Sequence, residues 1–150
     1  MYKLRKYSDD YYNFAYEVKK EAYKKYVEEN FGQWDEEVQK EYFDKFINSV
    51  KENAYIIEYE NTDIGFYNGE ILENGDYEIG NICIVPDYQG KGIGTEILKD
   101  IIEENKKRNI QIQYFKQNPV EKLYKRLGFV FVGETKYHYK AKLNKKEKKK

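Results

Sequence analysis

An α+β fold is the class this sequence predicts, and three features predict it. Helical spacing of apolar residues runs through roughly the first 50 positions. From Ala54 the pattern changes to short Ile- and Tyr-rich segments broken by turn residues, as in an antiparallel meander. A glycine-rich turn then leads straight into an amphipathic helix.

Taken in order, Tyr2–Tyr7 alternates polar and apolar residues and reads as a first strand. Ser8 and Asp9 offer capping oxygens for a helix that runs to about Asn30, with Ala15, Val18, Ala22 and Tyr26 on one face. Gly32 interrupts the pattern, and Asp35 can cap a second helix in which Val38, Tyr42, Phe46 and Val50 recur every four residues. Ala54–Glu60, Ile64–Glu73 and Asp76–Val85 read as strands, joined by Asn61-Thr62-Asp63 and Asn74-Gly75. After Pro86–Lys91 a helix extends to about Arg108, burying Ile93, Ile97, Leu98, Ile101 and Ile102. Ile110–Phe115 is a strand, Val120–Leu127 a short helix, and Phe129–Val132 and Tyr137–Leu143 closing strands. No repeat or linker divides the chain, so residues 1–143 are read as one domain and residues 144–150 as a Lys-rich disordered tail.

At 150 residues the chain is long enough to bury a core, and 17 Tyr with 8 Phe enlarge each buried contact. Lys+Arg and Asp+Glu both number 27, but the last seven residues hold five Lys and one Glu. Subtracting them leaves 22 basic against 26 acidic residues, so the body is acidic. That balance argues against a nucleic-acid partner, which needs clustered positive charge. The one cysteine, Cys83, cannot form an internal disulfide, and no apolar run approaches the ~20 residues of a membrane span. A cytoplasmic protein without a membrane partner is expected. The one histidine, His138, leaves no basis for a His-built metal site, so no metal is expected.

The informative run is Ile82-Cys83-Ile84-Val85-Pro86-Asp87-Tyr88-Gln89-Gly90-Lys91-Gly92-Ile93-Gly94-Thr95. A strand ends, a turn follows, and three glycines at alternate positions open a helix. Glycine lets backbone amides approach a ligand, and the first amides of a helix lack internal partners while its dipole favours negative charge. Such a turn suits a phosphate or pyrophosphate. It is not a nucleotide P-loop, because Gly94 is followed by Thr95 with no lysine between. Nor is it a dinucleotide fingerprint: position 95 holds Thr95 where the third Gly belongs, and the next strand carries Gln111 and Gln113 rather than an acid.

The pattern Gln89-x-x-Gly92-x-Gly94 resembles the acetyl-CoA motif of the GNAT superfamily of N-acetyltransferases, Gln/Arg-x-x-Gly-x-Gly/Ala. Downstream, Asn118-Pro119-Val120-Glu121-Lys122-Leu123-Tyr124-Lys125-Arg126-Leu127-Gly128-Phe129 resembles the family's second signature, Asn-Pro-x-x-x-Leu-Tyr-x-x-x-Gly-Phe. With the strand and helix order, the likeness covers most of the chain from Ala54 onward. It implies the GNAT fold, a twisted, mixed but mostly antiparallel sheet of six to seven strands flanked by about four helices. It also implies acetyl-CoA as cosubstrate, a small-molecule or peptide primary amine as acceptor, and direct attack in a ternary complex.

Carried over residue by residue, main-chain groups of Ile82, Cys83 and Ile84 would hydrogen-bond the pantetheine arm. Gln89, Gly90, Lys91, Gly92, Ile93, Gly94 and Thr95 would hold the pyrophosphate, mostly through backbone amides. Asn118 would lie near the arm and Tyr124 beside the thioester sulfur. An amine must lose a proton before it attacks, the tetrahedral oxyanion needs an N–H donor, and the departing thiolate needs a proton. These demands assign Tyr124 as general acid and Glu78, at the start of the strand before the turn, as the base; a water chain is the other route for that proton, and Glu28, Glu29 and Glu73 are reserves. Cys83 lies in an apolar strand and reads as buried rather than nucleophilic, and His138 as structural.

The first half is where the family selects its acceptor. Tyr26-Val27-Glu28-Glu29 and Trp34-Asp35-Glu36-Glu37 resemble a bacterial subgroup with a Gly-Trp-Asp-Glu run, except that Gln33 separates Gly32 from Trp34. Trp34 is read as a hydrophobic anchor between helices, with a cation-binding wall as the other reading. The acidic body tilts the acceptor towards a cationic amine. A non-catalytic acyl-CoA-binding or sensor module could use the same turn, and the resemblance is compatible with a homodimer.

Overall fold

The computed structural model describes residues 1–146. Among them are four α-helices and seven strands, with two compact units threaded by the same chain. The strand order is β1-β2-β3-β4-β5-β7-β6, built from β1 (Tyr2–Lys6), β2 (Ala54–Tyr59), β3 (Thr62–Ile71), β4 (Tyr77–Ile84), β5 (Ile110–Phe115), β6 (Val130–Glu134) and β7 (His138–Leu143). The expected α+β class, with a mixed sheet and four helices, is what the chain adopts.

The first unit comprises Met1–Asn68 and Asn81–Gly94. It holds α1 (Tyr12–Phe31) and α2 (Glu36–Val50), with β1 antiparallel to β2 and β2 antiparallel to β3. Ser8 makes no side-chain capping bond; a 3-10 turn at Asp9–Tyr11 leads into α1 instead. Asp35 does cap α2, accepting from the Val38 N–H at 3.2 Å. The stripe Val38, Tyr42, Phe46, Val50 is only half on the packed side of α2, where Phe46 and Val50 lie against the core. Val38 and Tyr42 are 38% and 60% exposed, whereas Phe43 and Ile47 are buried. Four residues overshoot a 3.6-residue turn by about 40°, so a strict four-residue repeat drifts off the core, and the packed face mixes steps of three and four.

Phe43 receives Tyr12 and Tyr16 edge-on at 5.2 and 5.4 Å. Ala15, Val18, Ile56, Phe66 and Cys83 complete this core, with Trp34 packed against it. Glu60 and Asn61, both at positive φ, form the two-residue loop between β2 and β3. The turn expected at 61–63 therefore sits one residue earlier, and Thr62 and Asp63 already belong to the strand. Gly65 lets β3 and β4 close together: a Cβ there would meet the Cys83 carbonyl oxygen at 2.2 Å.

The second unit comprises Gly69–Gly80 and the chain from Thr95 on. Here β4 runs parallel to β5 over Tyr77↔Ile110, Glu78↔Gln111 and Ile79↔Ile112, β5 is antiparallel to β7, and β6 is antiparallel to β7. α3 (Ile93–Glu104) enters this unit at Thr95 and buries Ile97, Leu98 and Ile101; α4 (Glu121–Arg126) follows β5. The expected tail from residue 144 begins attached, since the Lys145 and Lys146 N–H groups donate to Asn109 Oδ1 and the Lys106 carbonyl, both at 2.9 Å. The remainder of the tail, residues 147–150, lies outside the described residues.

Candidate active site

In the first unit β4 delivers Ile82, Cys83 and Ile84 to the turn. Pro86–Tyr88 forms a 3-10 turn in which the Tyr88 and Gln89 N–H groups donate to the Val85 and Pro86 carbonyls at 3.0 and 3.1 Å. Tyr88 packs on Tyr59 with ring centroids 6.1 Å apart, and the Lys91 ammonium sits 5.1 Å from the Tyr88 ring centre. Gln89 Nε2 donates to the Ile84 carbonyl at 2.7 Å. The conspicuous polar residue of the motif thus braces the end of the strand against the turn. Gly90 and Gly92 take φ of +74° and +82°, and a Cβ at either would meet nothing within 4 Å. They are glycines for backbone conformation, and that conformation feeds the chain into Ile93, the first residue of α3, whose leading amides have no helical acceptors. Gly94 has ordinary φ, and its Cβ would lie in normal contact, 3.5 Å from Ile84 Cδ1.

On β4 the register with β5 covers Tyr77, Glu78 and Ile79 and goes no further among the described residues, although β4 continues to Ile84. Edge main-chain groups on such a stretch are available to pair with an extended ligand.

In the second unit Tyr124 is half-buried on α4, its ring 5.3 Å from Tyr114 of β5 and 5.7 Å from Phe129. The Phe129 N–H donates to the Tyr124 carbonyl at 3.0 Å. Asn118 is engaged in the chain's own turn: its Oδ1 accepts from the Val120 N–H at 3.2 Å, and its N–H donates to the Phe115 carbonyl at 2.9 Å. Glu78 is exposed and in register with Gln111. Gln111 and Tyr114 are an odd number of residues apart on a regular strand, so they face opposite ways. Glu78 and the Tyr124 ring therefore belong to opposite faces of β5. Thr95 is half-buried on α3.

The reserve carboxylates separate by environment. Glu28 Oε2 accepts from the Trp34 N–H at 3.1 Å and fixes the α1–α2 loop, while Glu29 and Glu73 are exposed. The Trp34 ring lies beneath the Lys20 ammonium at 5.8 Å, and Lys20 pairs with Glu36. Glu36 also accepts from the Tyr16 hydroxyl at 2.6 Å, and the partly buried Trp34 packs against the core of this unit. His138 stacks on Phe115 at 4.3 Å, and burial lowers its pKa below the usual value. Burial pushes the Cys83 thiol up to about 11, so it is neither thiolate nor nucleophile near neutrality. Among the described residues no cluster of His, Cys, Asp and Glu could hold a metal ion, and no helix is long and apolar enough to cross a membrane.

Four residues that sequence reasoning passed over also meet in the first unit. The Tyr23 hydroxyl donates to Asn81 Oδ1, and Asn81 Nδ2 donates to Asn68 Oδ1, both at 2.8 Å; Lys19 lies one turn before Tyr23 on α1. The signal was present as two asparagines inside apolar strands, Phe66-Tyr67-Asn68 and Ile79-Gly80-Asn81-Ile82.

A family model described as an acetyltransferase (GNAT) domain matches residues 51–131. No curated protein sequence matches the chain. Among solved structures, PH1933 from Pyrococcus horikoshii OT3 is similar at 18% identity and TM-score 0.75, covering 98% of this chain and 100% of its own. The PaiA N-acetyltransferase of Thermoplasma acidophilum, solved in complex with coenzyme A, is similar at 20% identity and TM-score 0.73, covering 96% and 99%. The ribosomal-protein-S18-alanine N-acetyltransferase of Escherichia coli is similar at 18% identity and TM-score 0.68, covering 95% and 93%. At these identities the likeness is one of fold.

Proposed function

The chain belongs to the GNAT acetyltransferase domain family, and on that premise we propose that residues 1–143 form one N-acetyltransferase domain. It moves an acetyl group from acetyl-CoA to a primary amine of a small molecule or peptide by direct attack in a ternary complex. The observation that carries this reading is the turn after β4. Positive φ at Gly90 and Gly92 delivers the chain to the start of α3, where helix amides and dipole suit a pyrophosphate.

In this reading Gln89, Gly90, Lys91, Gly92, Ile93, Gly94 and Thr95 form the pyrophosphate cradle, with Gln89 acting through the Ile84 carbonyl. The main chain of Ile82, Cys83 and Ile84 pairs with the pantetheine arm, and Asn118 shapes the approach to α4. Glu78, directly or through water, takes the proton of the acceptor ammonium. The neutral amine attacks the thioester carbon, and a main-chain N–H of β4 stabilises the oxyanion. As the C–S bond breaks, Tyr124 gives its hydroxyl proton to the thiolate and regains one from the nitrogen of the tetrahedral adduct through water, while Glu78 releases its proton to solvent. Glu78 and Tyr124 belong to opposite faces of β5 while the entering nitrogen and departing sulfur share one carbon, so in this reading Tyr124 acts at the sulfur and water relays the amine proton to Glu78.

Initial velocities measured against both substrates test the order of events. Direct transfer predicts intersecting double-reciprocal lines and no acetylated protein by intact mass. Parallel lines with an acetyl group on Cys83 would replace this reading with a covalent one.

A further inference from the structure

Among the described residues Lys19 has no ion-pair partner. Its neighbours three and four residues away on α1 are Ala15, Tyr16, Ala22 and Tyr23, none of them acidic. Its ammonium lies 4.0 Å from the centre of the Phe46 ring of α2 and 5.6 Å from that of Tyr23. None of the ion pairs among the described residues uses it, whereas its neighbour Lys20 pairs with Glu36. The Cys83 thiol of β4, which interacts electrostatically with Lys19, stays neutral because burial raises its pKa to about 11. Loss of water around Lys19 lowers its own pKa. Aromatic faces soften the cost of such a charge, but an ammonium has three N–H donors, and ring faces are weak acceptors for them.

Beside this cation runs the chain of neutral polar groups from Tyr23 through Asn81 to Asn68, and Asn68 is only 7% exposed. The Tyr23 hydroxyl proton is committed to Asn81 and one Asn81 Nδ2 hydrogen to Asn68, which leaves the second Asn81 Nδ2 hydrogen and the Lys19 N–H groups as donors for a small anion. The position of the cluster says which molecule would bring that anion. Asn81 and Cys83 flank Ile82, on the stretch of β4 whose main chain the acetyltransferase reading gives to the acyl arm.

We propose that Lys19, with the remaining Nδ2 hydrogen of Asn81, binds a carboxylate carried by the acceptor, so that the amine acetylated here belongs to an amino acid or to another amine bearing an acid group. This inference rests on the acetyltransferase reading and reverses the tilt towards a cationic amine that the acidic body suggests. Local charge at the site outranks net charge, because exposed charges beyond a Debye length are screened whereas a desolvated one is not.

Calorimetric titration with reaction products tests it without turnover. Ligands are N-acetyl amino acids with small, acidic, basic and aromatic side chains, each paired with its neutral N-methylamide, in the presence of coenzyme A. At least one N-acetyl acid should bind the wild type about tenfold or more tighter than its amide, the scale of a lost charge-assisted contact. Lys19→Met should erase that ratio while keeping or raising the melting temperature, and Lys19→Arg should retain part of it. A wild type that prefers no acid over its amide, or binds none of the set, would overturn the proposal, as would an unchanged ratio in Lys19→Met. Failure to release coenzyme A thiol with any amine would instead count against the acetyltransferase reading, so the two failures are distinguishable.

Discussion

Glycines at 90, 92 and 94 look alike in the sequence but do different work. Gly92 holds φ at +82°, a conformation that costs a residue with a Cβ about 1–2 kcal/mol. Gly94 has ordinary φ and room for a methyl group against Ile84. Gly92→Ala should therefore lower thermal stability by about that amount and weaken coenzyme A binding, while Gly94→Ala should bind within about twofold of wild type. Titration of both variants checks the contrast. Gly65 needs space rather than conformation, since its Cβ would strike the Cys83 carbonyl; Gly65→Ala should cost about 2 kcal/mol or more in denaturant unfolding. The motif glycines were legible because their spacing is local. Gly65 was not, because the atom that forbids its substitution lies 18 residues away on another strand. The Lys19 cluster was hidden for the same reason, its members being brought together only by packing of α1 and α2 on the strands.

The helices show where periodicity suffices and where it misleads. The Asp35 cap could be read from one residue type before an amphipathic run, and the structure bears it out. Asp35→Ala should cost about 1 kcal/mol, measurable as a shift in the unfolding midpoint. The face of α2 could be read only in part from a four-residue repeat: Phe46 and Val50 pack against the core, but Phe43 and Ile47 are its buried residues. Those residues draw tyrosines into the α1–α2 interface. Burial, then the hydrogen bond to Asp44, raises Tyr12 to about 12, and burial, then the hydrogen bond to Glu36, does the same for Tyr16. In the unfolded chain both ionise near pH 10. Between pH 10 and 12 the folded form holds more protons, so stability falls as pH rises through that window. The double variant Tyr12→Phe, Tyr16→Phe should flatten this decline, as followed by circular dichroism across alkaline pH. Strand β5 was legible to the residue because Ile110–Phe115 alternates cleanly, whereas the β2–β3 turn was misplaced by one residue because Glu60 accepts a positive φ that composition does not advertise.

For the molecule as a whole, the class was legible and the strand order was not. Local period separates helices from strands, but the placement of β7 between β5 and β6 depends on pairings such as Ile110↔Leu143, which no local pattern encodes. The proposed donor turn is local in the sequence because anion binding uses backbone at a fixed spacing. The proposed acceptor contacts use side chains from separate elements, which only the three-dimensional packing brings together. Binding only the folded form, acetyl-CoA should raise the melting temperature by mass action, by about 2.7 kcal/mol of stability at a hundredfold excess over its dissociation constant.

The central claim is acetyl transfer from that cosubstrate with Tyr124 donating the final proton. Release of coenzyme A thiol with a panel of primary amines, followed in wild type and Tyr124→Phe across pH, tests it most directly. The account predicts amine-dependent release by the wild type and a fall in kcat on the order of 100-fold in Tyr124→Phe, with the melting-temperature response to acetyl-CoA retained. A Tyr124→Phe protein with full kcat at every pH, or a wild type that binds acetyl-CoA and transfers to no amine, would contradict it.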